Sequence, residues 1–118
     1  MASMKDVDGI WKMNFEGAKS QENMCAGIVF TSPLGKVSFH AFQLEFDGTN
    51  NVVEYEALLH GLELAKDFSI KLLKIIGDSD LIALQVKGKL ACKNERLKRH
   101  RDVVRIAMED FEALGLEA

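Results

Sequence analysis

Two cysteines, one proline and no long apolar run leave this chain without the usual devices for stapling, spacing or anchoring a protein. Cys25 and Cys92 stand alone in no CxxC spacing, which argues against a disulfide framework and a thiolate zinc site, and both read as reduced core or surface thiols. The lone Pro33 and nine glycines, with no Ser/Pro/Gln-rich or repeated stretch, exclude a linker between two halves. No segment approaches the ~20 apolar residues that cross a bilayer, and no signal-peptide pattern opens the chain. The expected setting is therefore intracellular, cytoplasmic or nuclear, and not secreted. A net charge of −3 and a pI near 5.6 exclude nucleic-acid binding by bulk electrostatics, so any such binding needs a local patch.

What is present suits one ordinary core: 118 residues, 47% hydrophobic. Residues 1–8, opening Met1-Ala2-Ser3-Met4, read as a leader or disordered segment, and residues 9–118 as one domain. From Gly9, Trp11, Met13 and Phe15 alternate with Lys12 and Asn14 in strand rhythm, ending at Glu16. Gly17 follows, either as a turn residue or as a place where another backbone or a ligand comes close. Met24 to Thr31 is a second strand. Ser32-Pro33-Leu34-Gly35 has Pro and Gly where a type I turn prefers them, which predicts a hairpin. On the return strand, Lys36 to Phe46, the apolar parity switches after Ala41, and a bulge near Ala41 or Phe42 would explain it. His40 reads as an outward strand residue without chemistry.

Asp47-Gly48 closes that strand, and Thr49-Asn50-Asn51 offers helix-capping side chains. Tyr55, Leu58, Leu59, Leu62 and Ala65 then form an apolar stripe, with Glu56, His60, Glu63 and Asp67 opposite. Glu54 belongs to neither polar group. It sits at the flank of the apolar stripe, either as the last member of a capping box with Asn51 or as a carboxylate aimed at whatever the helix packs on. Ile70 to Ile76 is an aliphatic strand reached through a helix, so it is expected parallel to a neighbour. That puts Asp78 at a strand's carboxyl end, where open α/β sheets bind ligands, although Asp78 or Ser79 also suits the cap of a helix over 80–87 that Gly88 ends.

The spacing of Leu97, Val104, Ala107, Met108 and Phe111 predicts a last helix from Lys93 to Leu114, with His100 packed in its stripe. Residues 93–105 hold six bases and two acids, net +4, and residues 106–118 hold four acids and no Lys or Arg, net −4. That order opposes the helix dipole. An indifferent solvated face and a basic patch for a partner both remain open.

If the first and fourth strands are neighbours and the central helix packs across them, Glu16, Glu54 and Asp78 converge at one sheet edge. Three like charges there repel unless neutralised, and hard divalent cations with oxygen ligands do that. Two such ions can activate water and steady the leaving oxygen of a phosphodiester.

Phe15-Glu16-Gly17-Ala18, Ala26-Gly27-Ile28-Val29, Ser32-Pro33-x-Gly35, Thr49-Asn50-Asn51-x-x-Glu54-Tyr55-Glu56-Ala57-Leu58, Gly61-Leu62-x-x-Ala65 and Gly77-Asp78-Ser79 resemble a type 1 ribonuclease H domain, in the reverse-transcriptase-like form of plant retroelements. The resemblance covers about Gly9 to Phe111. It implies an α/β fold built on a mixed sheet with helices on both faces, and cleavage of RNA in RNA–DNA hybrids by two Mg²⁺ or Mn²⁺ held by four acids. Glu16, Glu54 and Asp78 would be the first three catalytic metal ligands, and Asn50 and Asn51 would touch the hybrid's minor groove. Lys98, Arg101 and Arg105, in the +4 segment, are the accompanying candidates for nucleic-acid contact. Two departures shape the expectation. Glu16 stands where the family has Asp, one methylene too long, and the family's last strand, helix and Asn-x-x-Ala-Asp motif should follow and do not, so the expectation is a domain lacking its last strand and helix, either truncated or degenerate. The expected sheet order is therefore 3-2-1-4 with the fifth strand missing. Hybrid binding with weak or no cleavage is expected, and a degenerate nucleic-acid-binding or protein-interaction module is the alternative.

Overall fold

The computed structural model describes residues 9–19, 24–44, 50–77, 80–88 and 91–117. Strands β1 (Ile10–Lys19), β2 (Met24–Thr31) and β3 (Val37–Leu44) form an antiparallel meander. Helix α1 (Asn50–Asp67) follows, then β4 (Leu72–Gly77), α2 (Asp80–Val86), α3 (Glu95–Met108) and β5 (Ala113–Glu117). The sheet order is β3-β2-β1-β4-β5, with β4 parallel to both β1 and β5.

The fifth strand is thus present, which corrects the expectation of a four-stranded sheet, and the last helix is shorter than its apolar spacing predicts. Asn94 caps α3, its Oδ1 accepting from the N–H groups of Arg96 (2.9 Å) and Leu97 (3.2 Å). Beyond Met108 the chain turns, and Leu114 and Leu116 pair with Leu73 and Ile75 of β4. Ala, Leu and Glu are good helix formers, but the edge of β4 offers a ladder that local propensity does not override. Phe111 is buried from the turn rather than from the helix.

The hairpin forms as its sequence predicts: Gly35 donates to Ser32 O at 2.9 Å, at φ +87°. The bulge does not form. β2 and β3 pair one to one from Met24–Leu44 to Thr31–Val37. The parity switch has another cause, since β3 has an apolar residue on each face. His40 and half-buried Phe42 face the helices, whereas Val37 and Phe39 face the other way, Phe39 67% exposed. His40 is accordingly not an outward residue. Its ring lies 5.9 Å from that of Phe30 and 5.5 Å from that of Phe68, just past the end of α1.

The core lies between the sheet and α1. Met13, Phe15, Ala26, Ile28, Phe30 and Ile75 meet Val53, Leu58, Leu62 and Ala65. α1 packs on β1 and β2, α3 lies over α1, and α2 touches α3, α1 and β5. Among the described residues the helices occupy one face of the sheet, where the family resemblance implied both. The other face carries Ile10, Lys12, Asn14, Glu16, Val29 and Ile76.

Where α3 lies over α1, Glu56 and His60 of its polar side are half-buried, whereas Glu63 and Asp67 stay exposed. Tyr55 is fully buried and donates to Gln85 Oε1 at 2.8 Å, tying α1 to α2. Burial pushes its phenol up to about 12 from the usual 10.0. Between those values the unfolded chain releases a proton that the folded chain keeps. The contribution of Tyr55 to stability is therefore complete below pH 10 and drains as pH rises through about 12. Tyr55 is the single tyrosine, so ultraviolet phenolate absorbance reads it directly. The expected titration midpoint is near 12, and a midpoint near 10 would show that the phenol is open to water. Tyr55→Phe should cost roughly 1–3 kcal/mol by stranding the Gln85 amide, and should flatten the alkaline fall in melting temperature.

Candidate nucleic-acid and metal site

The carboxyl end of β1 organises the candidate site. Gly17 is where α1 comes closest: a Cβ there would lie 2.5 Å from Val53 Cγ1 and 3.1 Å from the Val53 carbonyl carbon. Glycine permits that approach, and through it half-buried Glu54 reaches the strand, its Oε1 accepting from Gly17 N at 2.7 Å. The inward Glu54 carboxylate thus spans from helix to sheet, and that oxygen is not turned back on its own helix as a capping box would have it. β1 itself runs on to Lys19 rather than ending at Glu16.

Glu16 precedes Gly17, and strand alternation turns its exposed side chain to the opposite face. There it borders a cleft of about 250 Å³ with Asn14, Gly27, Val29, Phe39 and Ile76. Glu16 and Glu54 therefore flank the same peptide unit from two sides. Asp78 lies outside the described residues. Its predecessor Gly77 pairs with Phe15, the residue before Glu16, on the last rung of the β1–β4 ladder. Among the described residues no three His, Cys, Asp or Glu side chains gather as a metal site.

Asn51 is half-buried in the first turn of α1, one turn before Glu54. Asn50 opens that helix, and its side chain lies outside the described set. The three basic candidates are already engaged within the chain. Lys98 approaches Glu95 at 3.7 Å. Arg101 donates through Nε and Nη2 to Asp102 Oδ1, at 3.1 and 3.0 Å. Arg105 donates to the carbonyls of Val86 and Gln85 at 3.0 and 3.1 Å, so it caps the end of α2. That role leaves Arg105 least able to follow a phosphate.

One polar cluster has no sequence signal. His100 Nδ1 lies 2.8 Å from Arg96 O and Nε2 2.9 Å from Glu56 Oε1. His60 stands 3.8 Å from the other oxygen of Glu56 and stacks on Phe42 at 5.1 Å. These contacts pin α3 to α1. Spacing within either helix could not have paired residues 44 positions apart.

The sequence profile of the reverse transcriptase-like family matches residues 14–117. Ribonuclease HI of Halobacterium salinarum is 36% identical over 64 residues, 54% of this chain and 32% of that protein, so the chain spans about a third of this relative's length. In three dimensions the chain is similar to the RNase H1 crystal structure from the same archaeon, with a TM-score of 0.87 and 27% identity, covering 93% of this chain and 86% of the other. It is also similar to LC11-RNase H1, a compost metagenome protein solved in complex with an RNA/DNA hybrid. There the TM-score is 0.78 at 24% identity, over 92% of this chain and 84% of the other, a likeness of fold alone.

Proposed function

We propose that this chain, which belongs to the reverse transcriptase-like family, is a ribonuclease H-type domain that binds RNA–DNA hybrids and cleaves their RNA strand with the help of divalent metal. The observation that carries the reading is the 2.7 Å bond from Gly17 N to Glu54 Oε1, because it draws an acid from α1 to the peptide of β1 that follows Glu16. The RNase H1 likeness at 27% identity supports the same reading.

Glu16, Glu54 and Asp78 offer oxygen donors only, which suits Mg²⁺ or Mn²⁺ over softer ions. In this reading they are the residues that hold the metal, which would supply an activated water and charge stabilisation at the leaving oxygen. Gly17 N–H fixes the Glu54 carboxylate, and Gly77 sets the approach of β4 to β1. Asn50 and Asn51, on the first turn beside Glu54, would read the minor groove, where 2′-hydroxyls mark the RNA strand. Arg101 and Lys98 would exchange their present carboxylate partners for phosphates.

One observation favours a second reading, hybrid binding without turnover. Alternation directs Glu16, which lies inside β1, to the face away from α1, opposite the side from which Glu54 reaches Gly17.

The test is a labelled RNA–DNA hybrid incubated with Mn²⁺ or Mg²⁺, comparing the chain with Asp78→Asn. Binding that weakens steeply with salt, and RNA-strand cleavage that Asp78→Asn abolishes, is the expected result. Binding without any cleavage moves the conclusion to the second reading. Failure to bind hybrid at low salt removes both.

A further inference from the structure

We propose that the sheet face away from the helices binds a guanine nucleotide, with the base in the cleft between Glu16 and Phe39 and the phosphate on Lys12 and Lys74. The inference rests on the reading of hybrid binding without turnover, because a Glu16 carboxylate that holds a base is not free to hold a metal.

Alternation in β1 sets Lys12, Asn14 and Glu16 in one row on that face. Register puts Gly27 beside Glu16 and Val29 beside Asn14, and Phe39 of the edge strand β3 beside Val29. Gly27 is the gap in this surface. A Cβ built on it would lie 3.8 Å from Glu16 Oε1 and 3.8 Å from Phe39 Cε2, so the carboxylate and the ring border the same empty space from the two neighbouring strands. With Ile76 they line the cleft of about 250 Å³, which has room for one planar base. Phe39 is 67% exposed, and an aromatic ring left open beside a cleft is a stacking surface for any base.

The polar groups select which base. An ionised carboxylate only accepts hydrogen bonds. Guanine alone among the RNA bases sets two donors side by side on its pairing edge, N1–H and the N2 amino group. Adenine and cytosine set one donor beside one acceptor there, and uracil flanks its one donor with two acceptors. Half-buried Asn14, the next residue of the row, has an amide to donate to the guanine O6. The cations lie one rung further along. Lys12 and Lys74 are exposed register partners on β1 and β4, two like charges side by side. Glu117 approaches Lys74 at 3.7 Å, and a phosphate between the two lysines neutralises both. Two strand residues separate Lys12 from Asn14, about 7 Å, which matches the reach from a base to its own 5′-phosphate.

The test is an amide NMR titration of the chain, without metal, with the 5′-monophosphates of guanosine, adenosine, cytidine and uridine. The guanosine nucleotide is expected to shift the amides of Glu16, Gly27 and Val29 with a Kd of about 1 mM or below, and the other three to bind about 10-fold more weakly or worse. Phe39→Ala should raise that Kd about 10-fold. Lys12→Glu should raise it similarly and leave the binding of unphosphorylated guanosine unchanged. Glu16→Gln, whose amide offers one donor and one acceptor, should turn the preference from guanine to adenine. All three positions are exposed, and circular dichroism confirms that each variant is folded. A uridine pentamer with one central guanosine is the second arm. Binding about 10-fold tighter than the mononucleotide assigns the site to a single strand, and equal binding assigns it to the free nucleotide. No shift with guanosine monophosphate up to about 10 mM overturns the proposal. So do equal binding of all four nucleotides and a Glu16→Gln chain that keeps the guanine preference. Hybrid cleavage is scored separately: cleavage that Glu16→Gln abolishes returns Glu16 to the metal and removes the reading without turnover, whereas a failed titration removes the guanine site alone.

Discussion

The Gly77→Ala protein is expected to melt roughly 10 °C below the parent, because overpacking a closed core by one methyl costs about 1–3 kcal/mol and each kcal/mol is worth about 4 °C in a domain of this size. A Cβ at Gly77 would stand 2.4 Å from Phe15 Cζ and 2.5 Å from Cε1. Phe15 is 4% exposed, and a buried aromatic ring cannot retreat without displacing its neighbours. Gly61→Ala makes a useful contrast. There the added carbon would meet Met13 Sδ at 2.6 Å and Cε at 2.8 Å, and a thioether re-routes at lower cost. Calorimetry on the two variants should rank Gly77→Ala well below Gly61→Ala. Equal melting temperatures would show that the Phe15 ring has room. Adding Phe15→Leu to Gly77→Ala should recover part of the loss, a coupling expected only of residues in contact. Because Phe15 and Gly77 share one rung, the same clash displaces the backbone leading to Glu16 and to Asp78. Any activity should therefore fall further than the fraction unfolded accounts for.

The sequence made this rung legible in part. Alternation in β1 and the Pro-Gly turn each rest on local chemistry that a linear reading can use, and each lies where it was expected. The fifth strand was not legible, because Ala113, Leu114, Leu116 and Glu117 are all helix formers, Gly115 between them being the one poor former, and the segment becomes a strand only when β4 offers its edge. The parity switch in β3 misled for a related reason. An apolar residue on an outward face looks like a broken register when the openness of that face is unknown. The inward carboxylate of Glu54 was visible from helical geometry, but its partner was not, since nothing in the spacing says that Gly17 lies across from it. Arg105 illustrates the opposite failure: counted as part of a basic patch, it is held by the end of α2.

Glu54→Gln is expected to separate what this residue does for the fold from what it does for chemistry. A glutamine amide oxygen can accept the same bond from Gly17 N at nearly the same volume, so stability should fall by no more than about 1 kcal/mol, the charge-assisted part of the bond. Glu54→Ala removes the acceptor and leaves the Gly17 N–H half-buried without it, which should cost about 1–3 kcal/mol. On the proposed hybrid-cleaving role, both variants should lose RNA-strand cleavage by roughly 10²-fold or more, since neither supplies the negative oxygen a divalent ion needs. Melting in Mn²⁺ gives a second readout independent of turnover. Binding to the folded form raises the wild-type midpoint by linkage, whereas Glu54→Gln, with the helix-to-strand bond kept and the charge gone, should show little rise. If Glu54→Gln cleaves within about 3-fold of wild type and keeps the Mn²⁺ shift, the carboxylate is a strut between α1 and β1 and its charge has no catalytic part. If instead Glu54→Gln is as unstable as Glu54→Ala, the bond to Gly17 depends on the full charge, and loss of cleavage in either variant must be read as loss of the strand end itself.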